Sequence, residues 1–253
     1  MNFNLHRVKR NVLKSTCALA VVLLPIMAFM SKNGSAPDWG FFGHKRINRL
    51  AVFTLPEEML SLYKVQIEFI TEHAVDPDKR RYATKHEAVR HYIDIDHWGK
   101  QPFDNVPREF EQALIVFSEV YGVTERGDTI KALWDQIPVN RRLLSKHKGL
   151  SKLRFVDFSE YFSTELMPEY YDGPIFAADG LNKFFGVDTF KSVFVIDRFS
   201  EHGILPFNLI AYQEKLTRAF SSNDMDRVLR LSTEIGHYIS DAHVPLHTTS
   251  NYN

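Results

Sequence analysis

Apolar residues recur at helical spacing along most of the chain. Over residues 43–53, GHKRINRLAVF, the residues Ile47, Leu50 and Ala51 share one face, and Leu55-Pro56 interrupts the run. Pro56 opens a second predicted helix with Glu57 and Glu58 in its first turn, where the helix dipole favours acids, and Leu60, Tyr63, Ile67 and Ile70 carry it to Ala74. The same periodicity predicts helices over 107–121, 128–137 and 205–220. A final helix is predicted over 224–243, capped by Ser222 or Asn223, with Val228, Leu231, Ile235 and Ile239 as its apolar stripe. Pro245 prevents it from continuing. Residues 150–203 are aromatic-rich and irregular, with one strand-like run, KSVFVIDRF. The pattern as a whole is mostly helical and predicts an all-α fold in one domain.

The N-terminal pattern is of another kind. Arg7, Lys9, Arg10 and Lys14 precede an almost wholly apolar run over 15–30, which reads as an export signal. The run is slightly short of the roughly 20 residues of a membrane span, so secretion is favoured over an uncleaved anchor. Residues 31–38, SKNGSAPD, read as a linker, and 39–253 as the domain. The single cysteine, Cys17, lies inside the apolar run, so the exported chain would depend on its core or on metal rather than on disulfides. That suits a bacterial periplasmic or secreted protein. Lys plus Arg and Asp plus Glu both number 31, and this zero formal charge weighs against long nucleic acids as partners. The aromatic excess, 20 Phe and 10 Tyr, is read first as core.

Candidate chemistry concentrates in the last helix. The stretch 236–247, GHYISDAHVPLH, sets His237 and Asp241 four residues apart and one above the other, away from the apolar stripe. Such a pair is a ready chelate, although a solvated His/Asp pair worth a few tenths of a kcal/mol is the plainer reading. His247 follows the break at Pro245, on a segment free to turn back. Earlier in the chain, WGFFGHKR places His44 five residues after Trp39, and Asp76 precedes His91 by fifteen. Asp78 is an alternative to Asp76, and Asp94 and Asp96 read as partners or caps near His91.

These patches, WGFFGH, VDPDKRR…RHYID and HYISDAHVPLH, resemble the superfamily of zinc-dependent phospholipases C and fungal single-strand-specific nucleases (3'-nucleotidases). The resemblance implies a helical fold with zinc sites between helices. It implies that Asp76, His91, His237 and Asp241 hold one zinc, that a second is held by His44, by a bridging Asp241 and by the backbone of Trp39, and that His247 begins a third site. His243 is not a ligand in that pattern. Asp76 and Asp241 carry the catalytic weight in this assignment. The activity implied is hydrolysis of phosphate esters, with water activated on zinc attacking phosphorus. Mixed imidazole and carboxylate donors suit zinc, and a bridging carboxylate sets two ions ~3.5–4 Å apart.

The chain departs from that pattern in two respects. Only TTSNYN follows His247, where the family places a further His and acid, so the sequence reads as C-terminally truncated. The segment between His91 and His237, including EYYDGPIFAADGLNKFFG, reads as an insertion beside the active-site mouth. The expected substrate is a small phosphate ester or a phospholipid, with contact at a membrane surface, and phospholipase C is favoured because the balanced charge offers no basic groove. A single-strand nuclease and a non-catalytic metal-binding homologue are the alternatives. No protein partner is implied.

Overall fold

The structure is a computed structural model, described here over residues 39–132, 153–167, 174–185 and 190–251. The expected leader, the linker and the second half of the helix expected over 128–137 lie outside the described residues. Among those described, no helix is long and apolar enough to cross a membrane.

The first helix, α1, spans Trp39–Val52; its opening residues, up to Gly43, belong to a unit of their own. The second expected helix is broken into α2 (Glu57–Lys64), α3 (Ile67–Glu72) and a 3-10 turn at His73–Val75. Short helices α4 (Asp76–Arg80) and α5 (Lys85–Ala88) follow. Next come α6 (Phe110–Phe117), α7 (Phe155–Tyr161), α8 (Leu205–Ser221) and α9 (Met225–Ala242). The turn into α9 places Asn223 at a φ of 55°, and the cap is Asp224, whose carboxylate accepts from Arg227 N at 3.1 Å. A cap of this kind contributes about 1 kcal/mol.

The fold is mostly helical but not all-α, because four strands form an antiparallel sheet. β1 is Ser118–Thr124, β2 Thr129–Ala132, β3 Ile175–Ala177 and β4 Phe190–Asp197, in the order β2-β1-β4-β3. The helix expected over 107–121 ends at Phe117, where the chain passes into SEVYGVT; there burial alternates residue by residue, with Val120 opposite Val195. Thr129–Ala132, expected as helix, pairs instead with β1 across a tight hairpin. Strand pairing, of β1 with β2 and β4 and of β2 with β1, is not encoded in local periodicity and overrides a weak helical pattern in both places. The strand-like KSVFVIDRF lies largely in β4.

Two hydrophobic clusters result. One joins the sheet to α6 and α7 and is aromatic, with Phe158, Phe162, Phe185 and Phe199 almost fully buried. The Phe-rich middle segment therefore builds interior. The other cluster lies among α1, α2, α3, α8 and α9, through Val52, Tyr63, Ile70, Tyr212, Val228 and Tyr238.

Helix α1 is rotated relative to its apolar pattern. Ile47 and Leu50, expected inward, are both 48 % exposed, whereas Asn48 and Val52 are buried. The Asn48 carboxamide donates to Thr233 O at 2.9 Å, and a Cβ at Gly236 would sit 2.3 Å from Asn48 Oδ1. A glycine on α9 thus admits a polar side chain of α1, and that contact turns the His44 side of α1 toward α9.

Main-chain pairing fixes the remaining segments near α9. Asp197 Oδ1 accepts from Phe199 N and Ser200 N, turning the chain out of β4. Residues 202–205 then bond to 89–94: His202 O accepts from Asp94 N, Ile204 N donates to Val89 O and Leu205 N to Tyr92 O. On the other side, Ile93 N donates to His247 O at 2.9 Å, which ties the turn after α9 (Pro245–Thr248) to the same segment.

Candidate metal centre

Six side chains from five parts of the chain meet over α9: His44 from α1, Asp78 from α4, His91 after α5, His237 and Asp241 from α9, and His247 from the turn that follows. His237 and Asp241 are 0 % and 1 % exposed, so the solvated-pair reading does not describe them. Burial of this much imidazole and carboxylate is costly unless the groups satisfy one another or an ion.

Asp241 is the centre of the arrangement, and its two oxygens face different histidines. Oδ2 lies 2.9 Å from His91 Nδ1 and 3.2 Å from His237 Nε2, while Oδ1 lies 3.3 Å from His44 Nε2 and 3.4 Å from His247 Nδ1. Asp78 faces the same group from across it. Its Oδ1 lies 3.8 Å from His91 Nδ1 and 3.9 Å from His237 Nε2, and its Oδ2 3.8 Å from His44 Nε2.

Local hydrogen bonds aim the imidazoles. His237 Nδ1 lies 2.8 Å from Ala74 O, a pure acceptor, so Nδ1 carries the proton and Nε2 presents its lone pair to the carboxylates. Ser240 Oγ spends its single proton on His237 O at 2.6 Å, so it accepts from His44 Nδ1, also at 2.6 Å. His44 Nε2 is then free as well. The His44 and His237 rings stack at 3.7 Å between centroids, which holds both in register.

The donor set fits a small divalent cation. His91 Nδ1 and His237 Nε2 are 3.1 Å apart, and both lie close to Asp241 Oδ2. Zinc bonds of ~2.0–2.1 Å to tetrahedral donors put those donors about 3.3 Å apart, close to this spacing. Two donor trios are compact enough for an ion, His91–His237–Asp241 and His44–Asp78–His237. His247 Nδ1 is buried without a hydrogen bond. No protein-family model, no curated protein and no solved structure matches the chain. The site therefore rests on its own geometry.

Charge is arranged accordingly. Burial opposes ionisation of Asp241, but the imidazoles of His237, His44 and His91 gathered around it outweigh burial and hold the carboxyl far below its usual range. Burial also disfavours protonation of His91, yet Asp241 and Glu87 beside it raise its pKa above the ordinary value. For His237 burial prevails, and its pKa is lowered.

The sequence-predicted residues divide as follows. His44, His91, His237, Asp241 and His247 come together, and His247 meets the same carboxylate as His44 rather than a site apart. Asp76 does not join them: it binds His73 Nδ1 at 2.6 Å and Lys79 Nζ at 2.8 Å on the outside of α4. Residues two apart on a helix point to nearly opposite sides, so only one of Asp76 and Asp78 can face α9, and it is Asp78. Trp39 opens α1, five residues ahead of His44, in the unit that precedes the site. His243 is exposed and bonds Ile239 O at 2.7 Å. Asp94 and Asp96 point elsewhere, to His202 at 3.7 Å and to Ser250. The sequence reading missed Asn48, Gly236, Ser240 and the Ala74 carbonyl. Gly236 and Ser240 both lie inside the stretch 236–247.

Proposed function

We propose that the protein is a zinc-dependent hydrolase of phosphate esters, of the phospholipase C and single-strand nuclease type. The observation that carries this reading is the two-faced Asp241, with a pair of histidines on each oxygen and a second carboxylate opposite. His91, His237, Asp78 and Asp241 Oδ2 would hold one zinc, and His44, Asp241 Oδ1 and Asp78 Oδ2 a second, with His247 beside it. Zinc bound there would supply Lewis acidity toward a phosphoryl oxygen and acidify water at neutral pH. The protein's own part is to bring imidazoles to the site with chosen lone pairs free and to keep Asp241 ionised. A lipid-type phosphodiester is favoured over a polynucleotide because the chain carries no net positive charge.

Purified protein is expected to contain zinc and to hydrolyse a chromogenic phosphocholine ester faster than single-stranded DNA, to lose that activity to a chelator and to regain it with zinc. Faster cleavage of DNA would move the assignment to the nuclease branch. Zinc without turnover on either substrate would leave a metal-binding homologue, and neither zinc nor turnover would refute the reading.

The two aspartates of α4 provide a sharper check. Asp78→Asn is expected to weaken zinc binding by ~10-fold or more, whereas Asp76→Asn leaves it within about twofold, since Asp76 meets only His73 and Lys79. Chelator competition on the two variants measures the difference.

A further inference from the structure

The geometry points to Glu87 as the positioning residue of His91: it supplies the acceptor behind the ring and so fixes which nitrogen faces the metal. This rests on the metal-centre reading above. Glu87 stands four residues before His91, is 2 % exposed, and takes no part in the donor set around Asp241.

His91 Nδ1 faces Asp241 and His237, so as a neutral ligand His91 must carry its proton on Nε2. Nε2 is buried and makes no hydrogen bond. The carboxylate facing it is Glu87, with Oε1 at 3.8 Å, longer than a hydrogen bond. Ligating histidines commonly turn their other N–H toward a carboxylate, which fixes the tautomer and the ring and strengthens the donor.

Glu87 is itself held from three sides. Its Oε1 accepts from Tyr238 OH, and its Oε2 lies 3.2 Å from Arg90 Nη1 and 3.5 Å from Arg80 Nε. Arg80 continues to Glu234 at 2.9 and 3.2 Å, and Glu234 accepts from Tyr212 OH at 2.6 Å. Tyr238 belongs to α9, between the ligand His237 and Ser240, so one helix carries both the metal donors and the hydroxyl that aims Glu87. Arg80 and Arg90 set positive charge beside this buried carboxylate, so it does not depend on His91 alone for a partner.

The test uses the full chain stripped of metal and titrated with cobalt(II), whose visible absorption reports the ligand field. Glu87→Ala removes the acceptor, and Glu87→Gln keeps its shape and one oxygen but not its charge. We expect cobalt affinity to fall ~10–100-fold in Glu87→Ala and by a smaller factor in Glu87→Gln, with altered absorption bands in both. The unfolding midpoint of the metal-free proteins is measured alongside. A lowered midpoint with parental affinity and parental bands would make Glu87 a structural residue only and overturn the inference. If the parent protein takes up no cobalt, the metal centre itself fails, a result distinct from a parent that binds and variants that bind equally well.

Discussion

Replacing Asp241 by asparagine is expected to cost the protein at least one bound ion per chain and to lower phosphodiester hydrolysis by ~10²-fold or more. An amide keeps one acceptor oxygen and turns the other position into a donor. Whichever way it is placed, its NH2 group faces either His91 and His237 or His44 and His247, whose nitrogens now lie between 2.9 and 3.4 Å from the carboxylate. The appropriate control is His243→Gln, two residues away in the same motif. His243 is exposed and only bonds Ile239 O, so this change is expected to leave zinc content and kcat/KM within about twofold. Metal stoichiometry and kcat/KM on the two purified variants decide the matter, and equal losses would show that the ligands are wrongly assigned.

The parts of this site that were legible in the sequence are those carried by a single helix or a single motif. His237 and Asp241 are one turn apart on α9, and four-residue spacing states their proximity without reference to the rest of the molecule. Pro245 likewise announces that His247 leaves the helix axis. The choice between Asp76 and Asp78 was not legible, because it depends on the orientation of a five-residue helix whose buried contact is Pro77. The rotation of α1 was hidden for a related reason. Its apolar residues suggested one buried face, but the close approach of Asn48 to Gly236 selects another, and that pairing links residues far apart in the chain.

The same distinction separates the two halves of the fold. Helices α8 and α9 have periodicity and stop signals of their own and were placed to within a residue or two. β1 and β2 are short, and their strand character comes from pairing with each other and with β4. Strand propensity is mostly a property of such neighbours, so a weak helical period misleads at those positions. The sheet nevertheless bears on the site, since β4 leads through the Asp197 cap into residues 202–205, which hold the His91 segment in place.

That hold depends on Gly203, and its replacement by alanine is expected to be the most damaging small substitution outside the donor set. Gly203 has a φ of 86° and a ψ of 146°, a region that is essentially closed to other residues. A Cβ there would lie 2.2 Å from Tyr92 O and 2.6 Å from Tyr92 C, main-chain atoms that no rotamer change can move aside. Backbone strain and the forced separation together are expected to cost about 3 kcal/mol or more of folding stability. Tyr92 adjoins His91, and Ile93 holds the His247 carbonyl, so the displaced segment carries two of the proposed donors. The folded fraction should therefore also bind zinc more weakly. Gly99→Ala isolates the cause: Gly99 has a φ of 103° but nothing within 4 Å of an added Cβ, so it bears the strain without the collision. Denaturant unfolding and zinc competition on the two variants should show Gly203→Ala lower on both measures, and a Gly203→Ala protein no worse than Gly99→Ala would mean that contact with Tyr92 does not set the His91 segment.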